Sequence, residues 1–313
     1  MKKIISALEK VNLPIYIAGH LNPDDDSIGS CLALSHLLKS MGKESYVLLE
    51  YEDKNILENH PLDCKIVSQV AHNDFTFVAM DLNEKYRLGN FEKYFEKAKE
   101  TFNIDHHQGN NVGANHTYTS EVSSTCEIVY EMIHLKDKNL LKNIPLCQSL
   151  YLGILTDSKG LTKRLSNKTL GIAGELINAG LDYPTLISKT INHRTLYQFQ
   201  ALAYFIKSIK QDKGFVYAII DKKKKVYKDL THNDIVKVLS EEVRKIDTID
   251  IMIVLIKNPD NITGKVVSNV SNNAHIIAHA LGGGGHKSEA GFTTQMTTKE
   301  ILNTVRNILN NKE

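Results

Sequence analysis

Short apolar runs that end on acids or imidazoles set the rhythm of the amino-terminal half of the chain. Ile15-Tyr16-Ile17-Ala18 reads as a buried parallel strand, and Ser45 to Leu49, Phe75 to Met80 and Thr101 to Ile104 read as further strands. Between them, apolar residues recur at helical spacing. Ser27 to Met41 carries Ile28, Cys31, Leu32, Leu34, Leu38 and Met41 in that pattern, and a short charged segment runs from Glu92 to Lys99. Ser123 to Ile133 has a hydroxyl available as cap with Glu127 near its first turn, and Pro145 to Leu155 follows. Asn167 to Ala179, closed by Gly180, and Tyr183 to Ile191 read as two further helices. Buried strands alternating with helices predict an α/β fold on a parallel sheet.

Thr195 to Gln211 is amphipathic, with Leu196, Phe199, Leu202, Phe205, Ile206 and Ile209 on one face. It reads as a helical linker between domains, a helix of the first domain's core being the alternative. The chain then restarts: strand 215–220, helix 232–246, strands 251–256 and 265–271, helix 273–280, a glycine run, strand 291–296 and helix 298–309. This is a smaller α/β domain. The expected organisation is therefore residues 1–192 as one domain, 193–212 as connector and 213–313 as the other.

Composition narrows the function. A net charge of +2 over 313 residues supplies no global basic field, which argues against duplex DNA as a partner. The basic residues are mostly lysine, so the five arginines, Arg87, Arg164, Arg194, Arg244 and Arg306, are informative wherever they fall. The four cysteines are scattered without a pairing pattern, as in a reduced, cytoplasmic protein. The amino terminus starts like a secretory leader but meets Glu9 and Lys10 too early. No stretch reaches the roughly 18 apolar residues of a membrane span, so no membrane role is expected.

The chemistry gathers where the elements end. His20, Asp24 and Asp26 follow the first strand, Asp81 and His106 follow two others, and Asp157 closes a helix. One imidazole and several carboxylates within 20–26 repel one another unless a cation sits among them. Carboxylate with imidazole suits Mn²⁺ or Mg²⁺ better than a thiolate metal. A site this rich in carboxylates points to two ions about 3.5–4 Å apart, bridged by one Asp, and so to hydrolysis at phosphorus. Far along the chain, Gly283, Gly284 and Gly285 precede His286 and Lys287. Consecutive glycines expose backbone N–H groups to an anion, although a long helix cap would use the same residues.

Four segments together resemble the DHH phosphoesterases with a DHH-associated carboxy-terminal domain: 20–30, Asp81 with Arg87 and Gly89, Asp105-His106-His107, and 153–157, completed by 282–291. The resemblance spans nearly the whole chain. It implies an active site in the cleft between domains. His20, Asp24 and Asp81 would hold one Mn²⁺, and Asp26, Asp81, His106 and Asp157 the other. Asp105 would orient its neighbour, and His107 would face the substrate, to contact the phosphate or to supply a proton to the leaving group. The glycine run and Arg87 would grip the substrate's nucleotide and phosphate. A homodimer is compatible with the family.

Two departures stand out. Asp25 replaces a usual glycine and is expected to face solvent. Val267 to Ser271 lacks the arginine that short-nucleotide relatives often carry, which leaves the phosphate to Lys287, Lys265 or Arg194. The resemblance implies a Mn²⁺-dependent phosphoesterase for short oligoribonucleotides or 3′-phosphoadenosine 5′-phosphate. Without tryptophan or a basic groove, long single strands are poor candidates. The rivals are a phosphodiesterase for cyclic or linear dinucleotides, and a nucleotide-binding regulator without turnover.

Overall fold

In the computed structural model the described residues are 1–50, 56–107, 109, 111–190, 196–221, 223, 246, 248–271, 273–285 and 287–310, with backbone alone at 197 and 198. They fall into two compact units, Met1–His193 and Arg194–Glu313.

The first unit is built on six parallel strands: β1 (Ile15–Ala18), β2 (Ser45–Leu48), β3 (Ile66–Val67), β4 (Thr76–Met80), β5 (Glu100–Asp105) and β6 (His116–Thr119). Their spatial order is β3-β2-β1-β4-β5-β6. Every pairing among them is parallel. Such a sheet must be covered on both faces, which explains the unbroken apolar runs of β1 and β4. Ile15 and Ile17 point into one core with Val78 and Met80, and Tyr16 and Ala18 into a second core with Phe77 and Ala79.

Helices α1 (Lys2–Lys10) to α7 form the rest of the unit. In sequence these are α2 (Asp25–Ser40), α3 (Glu92–Lys97), α4 (Thr125–Asp137), α5 (Ile144–Asp157), α6 (Asn167–Asn178) and α7 (Tyr183–Thr190). α2 and α5 cross at close range because Gly29 and Gly153 carry no Cβ; one on Gly29 would lie 2.5 Å from the Ser149 carbonyl oxygen. The strand order reverses direction between β1 and β4, whose carboxyl ends are level at Ala18 and Ala79. That switch point is where open α/β sheets bind ligands.

The second unit holds a mixed sheet in the order β11-β12-β10-β9-β8-β7. Its strands are β7 (Lys210–Asp212), β8 (Phe215–Asp221), β9 (Ile251–Lys257), β10 (Ile262–Ser268), β11 (Gly284–Gly285) and β12 (Glu289–Thr294). β8 and β9 run parallel and the remaining pairs antiparallel. α8 (Leu196–Ser208) buries Ala201 and Phe205 against Val216, Ala218 and Ile220. α9 (Ala274–Ala280) and α10 (Thr298–Asn310) cover the other face.

α8 thus packs into the second unit's core and stops before Gln211, which lies in β7. α1 occupies the segment read as a failed leader, and buries Ile4, Ile5 and Leu8. The helix expected over 232–246, together with His286 and Arg194, lies outside the described residues, apart from Ile246.

Candidate metal centre

His20 leaves the end of β1 and Asp24 caps α2, its Oδ1 accepting from the amides of Asp26 at 3.1 Å and Ser27 at 3.0 Å. Capping leaves Asp24 beside His20, whose Nε2 lies 3.8 Å from that same oxygen. Cap and metal ligand are therefore compatible roles for this residue. Asp81 ends β4 with φ at +60°, a left-handed conformation that aspartate tolerates better than most side chains. The turn aims its carboxylate at both neighbours. Oδ2 lies 3.6 Å from His20 Nε2, and Oδ1 lies 3.4 Å from His106 Nε2.

Asp157 comes from the last turn of α5 and brings Oδ2 to 3.3 Å from His106 Nε2. Asp26 accepts from the first amides of α4, Thr125 at 2.7 Å and Cys126 at 2.8 Å. A helix amino terminus carries partial positive charge, so it holds this carboxylate in place. The hydroxyl of Thr125 donates to Asp81 Oδ1 at 3.0 Å. Glu127 anchors the same turn, completely buried, with Ser123 Oγ at 2.8 Å and Thr169 Oγ1 at 3.0 Å donating to its Oε2.

Three groups of ligand atoms result, each with its members within 4.8 Å of one another: His20, Asp24 and Asp81; Asp26, His106 and Asp157; and Asp81, His106 and His107. Asp81 belongs to two of them and His106 to two. Asp105 lies outside all three and works through its neighbours, its Oδ1 2.7 Å from His107 Nδ1 and 2.8 Å from the His106 amide that donates to it. His107 faces the cluster, with Nδ1 3.8 Å from Asp81 Oδ1.

The donor set fits hard divalent cations. Burial lowers the proton affinity of His20 and His106, which favours the neutral imidazole that metal ligation requires. Burial, then the charge of Asp157 and Asp24, pushes Asp26 up to about 8, while Asp81 is raised by burial and by Asp26. Asp157 Oδ2 is buried without a hydrogen-bond partner. Buried anions that crowd one another need either protons or cations.

This has a measurable consequence for the metal-free protein. The folded chain holds the Asp26 proton to about pH 8, and its ordinary value is 3.8, so between those limits the folded state binds more protons than the unfolded one. Its contribution to stability is complete below that window and disappears as pH rises through 8. Below about pH 7 the neutral His20 and His106 work in the opposite direction, because the unfolded chain protonates them. From about pH 7 to pH 8 the carboxylate prevails, so melting curves in chelator should shift to lower temperature over that range, and saturating Mn²⁺ should flatten or reverse the trend. A metal-free protein that gains stability over that range would contradict it.

Asp25 does not face solvent as expected. Its Oδ1 lies 3.2 Å from Nε2 of buried His60, because the first turn of α2 rotates it away from the ligands on either side. Sequence reasoning offered a hydroxyl at 123–125 only as a cap and Arg164 only as one of five arginines, without placing Thr125 or Arg164 beside the cluster. A helix amino terminus after Ser123-Ser124 is a recognisable anion-binding signal; nothing local marks Arg164, whose Nη2 lies 2.9 Å from Asp157 Oδ1.

Arg87 is half-buried and its charge reaches His20. In the second unit, Gly282 turns at φ +84° after α9, and Gly284–Gly285 pair with β12 while staying exposed. A Cβ on Gly283 would collide with Phe292, so glycine is required there for packing. Lys287 is exposed, whereas Lys265 is held by Glu289 at 2.8 Å. Among the described residues no helix is long and apolar enough to cross a membrane.

Residues 14–154 match the N-terminal domain of the DHH family, and residues 205–311 match the DHHA1 domain. The chain is 27% identical over 300 residues to the bifunctional oligoribonuclease and PAP phosphatase NrnA of Thermus thermophilus, covering 94% of this chain and 88% of that protein. It is 24% identical to the cyclic-di-AMP phosphodiesterase PdeA of Listeria monocytogenes, covering 88% of this chain and 44% of that protein. An exopolyphosphatase-related protein from Bacteroides fragilis shares the fold, with a TM-score of 0.81 at 19% identity over 99% of this chain and 95% of that one. The chain belongs to the DHH family, as a DHH domain followed by a DHHA1 domain.

Proposed function

We propose that this protein is a phosphoesterase that uses two Mn²⁺ ions to hydrolyse short oligoribonucleotides and 3′-phosphoadenosine 5′-phosphate. The observation that carries the reading is Asp81, whose two oxygens face different imidazoles and tie separate ligand groups together. The Thermus thermophilus relative, named for both activities, supports this choice of substrates.

His20, Asp24 and Asp81 would hold one ion, and Asp26, Asp81, His106 and Asp157 the other. When bound, the pair supplies Lewis acidity that lowers the pKa of an attacking water and neutralises phosphoryl oxygens. The chain's own residues do the rest. Burial would raise Asp105, but the hydrogen bond and charge of His107 outweigh it, so Asp105 stays ionised and fixes the ring of His107. His107 then passes a proton to the leaving oxygen. Thr125 keeps the Asp81 carboxylate from rotating out of its shared position. Arg87, Lys287 and the glycine segment 283–285 with His286 bind the substrate's nucleotide and phosphate groups.

The Listeria relative favours a second reading, hydrolysis of a cyclic dinucleotide or its linear product. Purified protein with Mn²⁺ should be offered 3′-phosphoadenosine 5′-phosphate, ribonucleotides of two to five residues, cyclic di-AMP and pyrophosphate. Turnover of the first two, lost in chelator and restored by Mn²⁺, is expected. Turnover of cyclic di-AMP alone would establish the second reading. Nucleotide binding without turnover of anything would make the protein a regulator.

A further inference from the structure

Arg164 sits where a phosphate-binding group is wanted. Its Nη2 donates to Asp157 twice, to Oδ1 at 2.9 Å and to the backbone oxygen at 3.0 Å. The other oxygen of that carboxylate faces His106 at 3.3 Å. The guanidinium is therefore one carboxylate away from the ligand cluster, and its side chain remains 44% exposed. Nε and Nη1 have no protein partner among the described residues, so most of the donor fork is uncommitted.

The backbone that presents it is strained. Lys159, Leu161 and Arg164 have φ of +53°, +58° and +51°, with Gly160 at +73° between the first two. A non-glycine residue in that region crowds its Cβ against the following carbonyl oxygen. The loop is nevertheless pinned: the Ser158 carbonyl oxygen accepts from the amides of Thr162 at 3.0 Å and Lys163 at 2.9 Å, and its hydroxyl oxygen accepts from Leu161 at 3.0 Å. Strain held by surrounding bonds points to a geometry with a use. Here the geometry delivers a fork to the cluster's rim. A point cation would have sufficed to balance Asp157, whereas a fork matches phosphate oxygens.

The described residues offer few alternatives. Arg87 lies on the His20 flank, Arg306 is committed to Asp212 at 2.6 Å, and β10 contains no arginine. Among the described arginines, Arg164 is the one on the His106 and Asp157 flank.

We propose that Arg164 contacts the substrate: one nitrogen stays on Asp157 while the remaining N–H groups bind a non-bridging oxygen of the phosphate under attack. The proposal rests on the phosphoesterase reading for its substrate. A purely structural role, orienting Asp157, makes a different prediction, because it acts through metal affinity.

The test compares wild type with Arg164→Ala and Arg164→Lys in the full-length protein. Turnover of 3′-phosphoadenosine 5′-phosphate is measured at saturating Mn²⁺, and binding of Mn²⁺ and of inorganic phosphate to the Mn²⁺-loaded protein is measured by calorimetry. Loss of one preorganised donor to a developing anion lowers kcat by about 10²–10³-fold, and Arg164→Ala should fall in that range. Inorganic phosphate should bind at least tenfold more weakly, lysine should recover only a minor part, and Mn²⁺ affinity should change little. Recovery of kcat in excess Mn²⁺ would overturn the proposal, and so would unchanged phosphate binding. If wild type hydrolyses no phosphoester yet Arg164→Ala loses inorganic phosphate, the contact stands and the phosphoesterase reading falls.

Discussion

Asp81→Asn is expected to reduce turnover at saturating Mn²⁺ by about 10³-fold or more while leaving the metal-free fold at least as stable as wild type. Losing a ligand common to two cations forfeits several kcal/mol of charge stabilisation, and each 1.36 kcal/mol is about tenfold in rate. Stability should move the other way. Asp81 is buried, and its proton affinity is raised by burial and by Asp26, Asp24, Asp157 and Asp105 around it. Asparagine removes that repulsion, keeps an acceptor for the Thr125 hydroxyl, and tolerates φ of +60°. Asp81→Ala would lose the hydrogen bond and strain the turn, each costing about 1 kcal/mol. Steady-state rates with melting curves in chelator check both halves. Near-normal turnover in Asp81→Asn would remove the bridging role.

The second large effect lies beneath the site. Gly153 in α5 has no room for a side chain: a Cβ would meet the Cys126 thiol, Asp26 Oδ1 at 2.8 Å and Asp26 Cα at 2.9 Å. Gly153→Ala must push α2 away or turn the Asp26 carboxylate off the Thr125 and Cys126 amides. Overpacking of this kind costs about 1–3 kcal/mol. Calorimetry should show weakened Mn²⁺ binding beyond the stability loss, because the obstruction falls on a ligand. Gly171→Ala and Gly174→Ala in α6 are the controls. A Cβ there meets nothing within 4 Å, so helix propensity alone should stabilise the chain by about 1 kcal/mol. Wild-type Mn²⁺ affinity in Gly153→Ala would show that α2 and α5 have slack.

The strands that carry the site were the most legible part of the fold. β1 and β4 are buried on both faces and appear as apolar runs, while β5 carries Phe102 and Ile104 between buried polar residues, and the residues closing all three fall automatically at one edge of a parallel sheet. The order β3-β2-β1-β4-β5-β6 was not legible, since no local pattern states which strand crosses to which side. β3, with two residues, and β6, with alternating exposed polar positions, are too short or too polar to register. α1 was passed over because its charges were weighed against a leader and not as the outer face of a helix.

Within the site, hard ligands repeated where elements end singled out His20, Asp24, Asp26, Asp81, His106 and Asp157, which the structure gathers, whereas Asp105 and His107 took their expected roles from the family resemblance. The supports escaped. Thr125 and Glu127 act through contacts to residues 44 and 42 positions away, and Arg164 through a loop whose left-handed backbone no composition announces. Asp25 went astray for the same reason. Its partner His60 lies 35 residues further on, and a solvent-facing guess had only the helix end to go by.

The most direct test of the shared-carboxylate centre is anomalous diffraction at the manganese edge from crystals grown with Mn²⁺. Two peaks about 3.5–4 Å apart, with Asp81 ligating both, are the expected result. A single peak, or two ions that share no carboxylate, would contradict it.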